Sequence, residues 1–97
     1  MNGATCGYGN IGFTTFKLSQ FRPNAIASCE PDEGNPIFIN DGAFSPNEAI
    51  SQRHQVGANV GRFDGGAEFM TSSHFYLERA KTMPNRVWCN PGTLTGQ

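Results

Sequence analysis

The sequence has few charged and few aliphatic side chains. Charged residues make up 15% of its 97 residues, against roughly 25% in average globular domains. Hydrophobic residues, counted without glycine, make up 37%. Eight acidic and seven basic residues leave a net charge of −1, so the chain lacks the high net charge that usually accompanies disorder. We therefore expect one small domain over residues 1–97, with little apolar material for its core.

Clustered cations and long apolar runs are also missing. The seven Lys and Arg residues are scattered, whereas binding to nucleic-acid phosphates needs clustered cations that displace counterions. No apolar run is much longer than residues 37–39, while a membrane span needs about 20 residues and a signal peptide roughly 7–15. We therefore expect no nucleic-acid binding, no direct membrane insertion and no signal peptide, and a cytoplasmic or virion location.

The cysteines and histidines lack the spacing of a metal or redox motif. Cys6, Cys29, His54, His74 and Cys89 are 15 to 25 residues apart, whereas zinc ligand pairs are usually separated by about two to five residues. Three reduced thiols are the favoured interpretation, with a bridge between Cys6 and Cys89 as the alternative. A Cys-His nucleophilic pair would need the fold to assemble it, and no acyl-transfer signature surrounds the thiols. We expect no catalytic residue, no metal and no cofactor.

Glycine and phenylalanine are abundant, at 12 and 8 residues. Gly, Asn, Ser, Thr and Pro favour turns, which indicates aromatic anchors set in irregular chain. Residues 1–12 have no periodicity and are predicted to be an extended arm, and the Asn90-Pro91-Gly92 turn leads into a second arm over residues 90–97. Residues 60–66 are predicted to be a loop with a turn at Asp64-Gly65-Gly66.

Three segments are predicted to be strands. Residues 13–21 alternate, with Phe16 and Leu18 on one face, which is the period-two pattern of a half-buried strand. Residues 37–39 form a short apolar run that ends at the Asn40-Asp41-Gly42 turn. Residues 86–89 are predicted to be the last strand.

Two segments begin with helix-capping residues. Ser45 can cap a helix, Pro46 suits its first position, and Glu48 can bond back to the Ser45 amide. This pattern predicts a helix to about Val56, with Gly57 past its end.

A second helix is predicted from a cap at Ser72 or Ser73 to a point before Pro84. Within it, Glu78 can pair with Lys81 three residues on. Apolar side chains at helical spacing share one face of this helix: Tyr76, Ala80 and Met83.

The segment Gly7-Tyr8-Gly9-Asn10-Ile11-Gly12 reads G-x-G-x-x-G, and Glu30 lies 18 residues beyond Gly12. It resembles the fingerprint of NAD-dependent 2-hydroxyacid dehydrogenases, which implies glycines against a pyrophosphate and Glu30 on a ribose. That fingerprint must follow a buried strand and open a helix, but residues 1–6 are short and polar and residues 13–16 are β-branched and aromatic. A small dinucleotide-binding or oxidoreductase-like fragment using residues 7–12 is therefore the alternative hypothesis.

The aromatic residues are spread evenly along the chain, which is typical of a core. Small domains with a limited core are commonly stabilised by association, and Tyr and Trp are favoured at interface hot spots. We therefore predict an interface that involves the arms, with Tyr8, Phe13, Phe16 and Trp88 as anchors.

Together these patterns predict an α+β fold, with a small sheet of short strands, one or two short helices, ordered loops and extended termini. The predicted function is that of a non-catalytic structural or assembly subunit of the cement, decoration or linker type, in a virus or phage particle. A linker subunit of a pigment or enzyme supercomplex is a further alternative. The expected partners are other protein subunits, with several copies in the assembly.

Overall fold

The computed structural model describes residues 16–37 and 45–96. These contain three strands, β1 (Ile26–Cys29), β2 (Gly57–Arg62) and β3 (Ala67–Thr71), and one helix, α1 (Ser72–Ala80). Single 3₁₀ turns lie at Leu18–Gln20 and Pro46–Glu48. The strands form one antiparallel sheet in the order β1-β2-β3. The predicted small α+β fold is confirmed.

A tight turn joins β2 to β3. Gly65 has a φ of 84°, a conformation that favours glycine, and the Asp64 carboxylate accepts the amide of Gly66 at 2.8 Å. The predicted turn at residues 64–66 is thus confirmed. The predicted loop over residues 60–66 is wrong at its start, because residues 60–62 belong to β2.

Small residues bring β2 close to β3. Gly57 pairs with Thr71, and a Cβ at position 57 would lie 2.1 Å from the Met70 carbonyl oxygen. Gly57 therefore begins a strand and does not follow a helix. Glycine is uncommon in strands, which explains why the sequence pattern did not predict β2.

The main core lies between the inner face of the sheet and α1. Ala58, Val60 and Met70 point from β2 and β3 towards Phe75 of α1, which is completely buried. Ile26, Ile50 and Val87 complete this cluster.

A second cluster joins the N-terminal part of the described chain to its C-terminal part. Phe21 stacks on Phe63 with ring centroids 4.0 Å apart, and Ala25 and Cys89 are buried beside them. Contacts between aromatic rings add to the stabilisation from burial. This cluster therefore packs the segment before β1 against the turn after β2 and against the C-terminal segment.

The predicted strand over residues 13–21 is wrong in its described part. Residues 18–20 form a 3₁₀ turn in which the Gln20 side chain accepts the Lys17 amide at 2.8 Å. Leu18 is exposed, so the alternation does not reflect a buried face. Residues 13–15 lie outside the described residues.

Two further predicted strands do not form where the structure can be described. Ile37 lies in an exposed turn, and residues 38 and 39 lie outside the described residues. The predicted strand at residues 86–89 is wrong, because the side-chain oxygen Oδ1 of Asn85 accepts the backbone amides of Val87 and Trp88, at 2.9 and 2.8 Å. These bonds curl the segment and replace a sheet ladder.

The predicted helix at residues 45–56 is only a single 3₁₀ turn. Its capping box is confirmed, since the Ser45 amide donates to Glu48 Oε2 at 2.7 Å. Ala49 then has a φ of 61°, which ends the turn, and Ile50 forms an antiparallel bridge with Pro31. Pairing with a distant segment therefore overrides the local helix signal.

The predicted second helix is confirmed as α1. Thr71 caps it instead of Ser72 or Ser73, because the Thr71 hydroxyl accepts the His74 amide at 3.1 Å. The helix ends at Ala80, before Pro84. The predicted contact between Glu78 and Lys81 is present. No helix within the described residues is long and apolar enough to span a bilayer.

Candidate functional site

The outer face of α1 carries apolar side chains that the fold does not bury. Phe75 and Glu78 point into the protein, so Tyr76, Leu77 and Ala80 lie on the opposite side. Tyr76 is 46% exposed and Leu77 67%. We call Tyr76, Leu77 and Ala80 the outer stripe of α1; Ala80 lies three and four positions after Leu77 and Tyr76, so the three side chains form a continuous surface.

The predicted apolar face of this helix therefore exists but points away from the core. Met83, three residues past Ala80, is also exposed. Phe75 is the residue of α1 that packs against the sheet. The apolar face that sequence reasoning assigned to this helix is its free surface.

Two contacts of Arg79 order the outer stripe. The guanidinium lies 4.9 Å from the centre of the Tyr76 ring, which is cation–π geometry. Arg79 Nη1 also donates to the Pro46 carbonyl at 3.1 Å. The Tyr76 ring is therefore held in place by a side chain that is itself tied to the 3₁₀ turn at Pro46–Glu48.

A buried carboxylate stabilises the inner side of the same helix. Glu78 contacts the Lys81 ammonium, and its Oε1 lies 3.3 Å from His74 Nε2. Burial alone would raise the pKa of Glu78, but the hydrogen bonds from Lys81 and His74 outweigh it and hold the pKa below its usual value of 4.5. Glu78 is thus a charged anchor of α1.

This lowered pKa predicts a loss of stability in acid. The unfolded chain, with the higher Glu78 pKa, takes up the proton first, so the stability from Glu78 is present above about pH 4.5 and is lost as the pH falls through the folded-state value. We expect Glu78→Gln to lower stability at pH 7 and to flatten the acid side of the stability curve, measured by urea unfolding between pH 3 and 7. An acid slope identical to that of the unsubstituted chain would contradict this.

The predicted interface residues lie in different environments. Tyr8 and Phe13 lie outside the described residues. Phe16 is half-buried, with its ring 6.1 Å from that of Phe21 in an edge-on contact. Trp88 is only 7% exposed, so its indole offers little surface to a partner in this conformation. The interface role of Phe16 and Trp88 stays a prediction.

The described part of the C-terminal arm is a closed loop with an exposed leucine. The Asn90 amide donates to the Gly96 carbonyl at 2.8 Å, and the Asn90 side chain accepts the Gly92 amide at 2.9 Å. A Cβ at Gly96 would lie 2.2 Å from the Trp88 carbonyl oxygen. Leu94 is 96% exposed on this loop, which makes it the apolar residue that the loop presents most fully.

A polar cluster on the sheet combines His54, Glu30 and Asn59. His54 Nε2 lies 3.1 Å from Glu30 Oε2, which also accepts the Asn59 amide at 2.9 Å. The hydrogen bond from Asn59, followed by that from His54, holds the pKa of Glu30 below its usual value. The cluster lies on open surface and ties the turn before β2 to the end of β1.

The nearest thiol to this cluster is chemically quiet. Burial, with the charges of Glu48 and Glu30, raises the pKa of Cys29 to about 12. A thiol with this pKa stays protonated at neutral pH. Since only the thiolate is an effective nucleophile, Cys29 is not a reactive thiol. Cys29 is a free thiol in the structure.

The metal-site, disulfide and dinucleotide hypotheses involve residues that the structure describes only in part. Within residues 16–37 and 45–96, no three His, Cys, Asp or Glu side chains come together as a metal site. Cys6 lies outside this part of the chain, so the Cys6–Cys89 bridge stays untested. The glycine motif at residues 7–12 also lies outside it. Glu30, its proposed ribose ligand, contacts His54 and Asn59.

Most arginines are neutralised within the fold. Glu68 Oε1 lies 2.6 Å from Arg86 Nη2, and Glu68 Oε2 lies 3.2 Å from Arg62 Nη1. Burial would raise the pKa of Glu68, but the hydrogen bonds from Arg86 and Arg62 hold it below its usual value. Arg53 pairs with Glu33. These cations therefore form ion pairs within the protein and do not supply unpaired charge to a cationic surface patch.

Comparisons of the chain with protein-family models, with curated proteins and with solved structures give no match.

Proposed function

We propose that this chain is a non-catalytic structural or assembly subunit that binds other protein subunits of a larger complex. The observation that carries the proposal is the outer stripe of α1, where Tyr76 and Leu77 are exposed on an ordered helix. Contiguous exposed apolar surface on a small protein is typical of a site that another molecule covers. Tyrosine is also enriched among the residues that carry binding energy.

The charges around this surface support a protein partner over a nucleic acid. Arg79 is engaged by Tyr76 and by the Pro46 carbonyl, and Lys81 pairs with Glu78. Binding to phosphates requires cations that are available to replace counterions. The cations next to the outer stripe are already used inside the fold, so its available surface is apolar.

The arms form the second part of the proposed interface. Leu94 on the C-terminal loop is almost completely exposed, and the loop is closed by the bond between Asn90 and Gly96. Tyr8, Phe13, Phe16 and Trp88 remain the proposed anchors nearer the two ends. A held loop binds with less loss of conformational entropy than a free one, which favours the C-terminal loop as a contact.

The setting we propose is a virus or phage particle, in which the chain would act as a cement or decoration subunit in several copies. A linker in a pigment or enzyme supercomplex is the alternative setting. The antiparallel pairing of all three strands supports an assembly role over the dinucleotide-binding alternative, whose fold is built on parallel strands.

The test compares the native mass of the chain with and without the outer stripe. Leu77→Asp places a charge in the proposed contact, and we expect it to release the chain from its complex, because a desolvated unpaired charge is costly. A tagged form of each chain is expressed in the source organism. Its mass in extracts is then measured by size-exclusion chromatography with light scattering. The unsubstituted chain should elute in a large particle, and the variant near the 10.5 kDa of the free chain.

Leu18→Asp is the matched control. Leu18 is 68% exposed and Leu77 67%, so the two substitutions place the same charge at equally exposed positions in different parts of the surface. Leu18→Asp should leave the particle intact. Elution of the unsubstituted chain as a folded monomer would overturn the assembly proposal. Equal release by both variants would show that the outer stripe is not the contact surface.

A further inference from the structure

A small cavity lies between the 3₁₀ turn at Leu18–Gln20 and the C-terminal segment. Its volume is about 210 Å³, below the roughly 300–1,000 Å³ of pockets that hold drug-sized ligands. Its size therefore suits a small ion or a short-chain metabolite. The polar residues that line it are Gln20, Arg22, Asn85, Asn90 and Thr93.

The charge in this cavity is positive and uncompensated. Arg22 lines the cavity, and no acidic residue does. Among the described residues the Arg22 guanidinium has no ion-pair or hydrogen-bond partner, in contrast to Arg53, Arg62 and Arg86. An arginine fork without a carboxylate partner is suited to bidentate binding of an oxyanion.

Gln20 gives the lining of the cavity a second hydrogen-bond donor. Gln20 accepts the Lys17 amide through its Oε1 at 2.8 Å, so its NH₂ group is the end that remains to donate. Pro84, Pro91 and Cys89 complete the lining with apolar surface. A guanidinium, an amide donor and apolar lining residues together suit an oxyanion that carries a small apolar group.

We propose that this cavity binds a small oxyanion, a phosphate or a carboxylate, through the Arg22 guanidinium. The site is separate from the outer stripe of α1 and does not depend on the assembly proposal. Phosphate and carboxylate share the chemistry that Arg22 recognises, since each presents two oxygens to a guanidinium fork. Experiments with both anions distinguish the two sources.

The test is an NMR titration of the ¹⁵N-labelled full chain with sodium phosphate and, separately, with sodium acetate, at constant ionic strength maintained with chloride. We expect saturable shifts of the Gln20, Arg22 and Thr93 amides with at least one of the anions. Arg22→Gln should weaken binding at least about tenfold, because it removes the charge and the fork. Arg22→Lys keeps the charge without the fork and should weaken binding less.

Arg53→Gln is the matched control, because it removes the same charge from another exposed arginine, one paired with Glu33. It should leave the dissociation constant within about twofold, as expected if only general screening changes. Saturation with phosphate alone, acetate alone or both supports the site and identifies the ligand class. The absence of saturation with both anions, or equal weakening by Arg22→Gln and Arg53→Gln, would overturn it.

Discussion

Phe75→Ala is expected to lower the free energy of unfolding by about 3–5 kcal/mol, the range for removing a fully buried aromatic side chain. Phe75 is 0% exposed and joins α1 to Ala58, Val60 and Met70 of the sheet. No other residue of α1 belongs to that cluster. Since small domains have total stabilities near the lower end of about 5–15 kcal/mol, the variant should be partly or fully unfolded at 37 °C. Urea unfolding followed by circular dichroism measures the effect.

Leu77→Ala is the control for this substitution, since it removes an apolar side chain of the same helix from the exposed outer stripe. Its effect on the isolated chain should lie within about 0.5 kcal/mol, as for other surface substitutions. A loss at Leu77 comparable to that at Phe75 would mean that α1 packs through the opposite face.

Asn85→Ala is expected to lower the free energy of unfolding by about 2–4 kcal/mol, because it leaves several backbone groups without partners, each at a cost of about 1–3 kcal/mol. The side-chain Nδ2 of buried Asn85 donates to the carbonyls of Arg79 and Lys81, at 3.3 and 3.0 Å. Its side-chain Oδ1 accepts the backbone amides of Val87 and Trp88. One side chain thus caps the end of α1 and shapes the next segment.

Two comparisons define the Asn85 effect. Asn24→Ala changes an exposed asparagine whose backbone carbonyl, and not its side chain, accepts the Arg86 guanidinium at 2.8 Å, so it should be nearly neutral. Asn85→Asp keeps the acceptor but places a buried charge against the carbonyls of Arg79 and Lys81, so it should also destabilise the fold at pH 7. Thermal and urea unfolding measure all three variants. A neutral Asn85→Ala would show that water satisfies the exposed backbone groups.

The local signals in the sequence predicted the local structure well. The capping box at Ser45 and Glu48, the turn at residues 64–66 and the helix that ends before Pro84 are all present. Each depends on contacts between residues within about four positions, which a short pattern can encode. Such signals fix where an element begins or turns, but not what it packs against.

The strands could not be predicted in the same way. The alternation at residues 13–21 suggested a strand, whereas β2 contains two glycines and an asparagine and shows no such pattern. β2 is the central strand because its small residues allow the close approach to Met70 and Thr71. This cause lies in the partner strand, so strand propensity, which depends on neighbours, could not reveal it.

The candidate site was only partly within reach of the sequence. The spacing of Tyr76, Ala80 and Met83 identified an apolar face, but which face of α1 meets the sheet depends on the cap at Thr71 and on Phe75. The prediction of Trp88 as an interface anchor relied on residue type alone, and the structure buries it. Arg22 gave no signal, because the sequence does not show which arginines find acidic partners: those of Arg53 and Arg86 lie 20 and 18 residues away.

The order of elements along the chain bears on how the molecule reaches its fold. β2, β3 and α1 follow one another directly, so residues 57–80 can form a hairpin and a helix while closing only short loops. β1 needs a much longer closure, since Ile26 donates its amide to the Arg86 carbonyl at 2.8 Å across most of the chain. Loop closure costs more entropy as the separation grows, and local contacts form faster. We therefore expect the hairpin and helix to form first, and the two ends of the described chain to meet last, against a sheet and helix that are already in place.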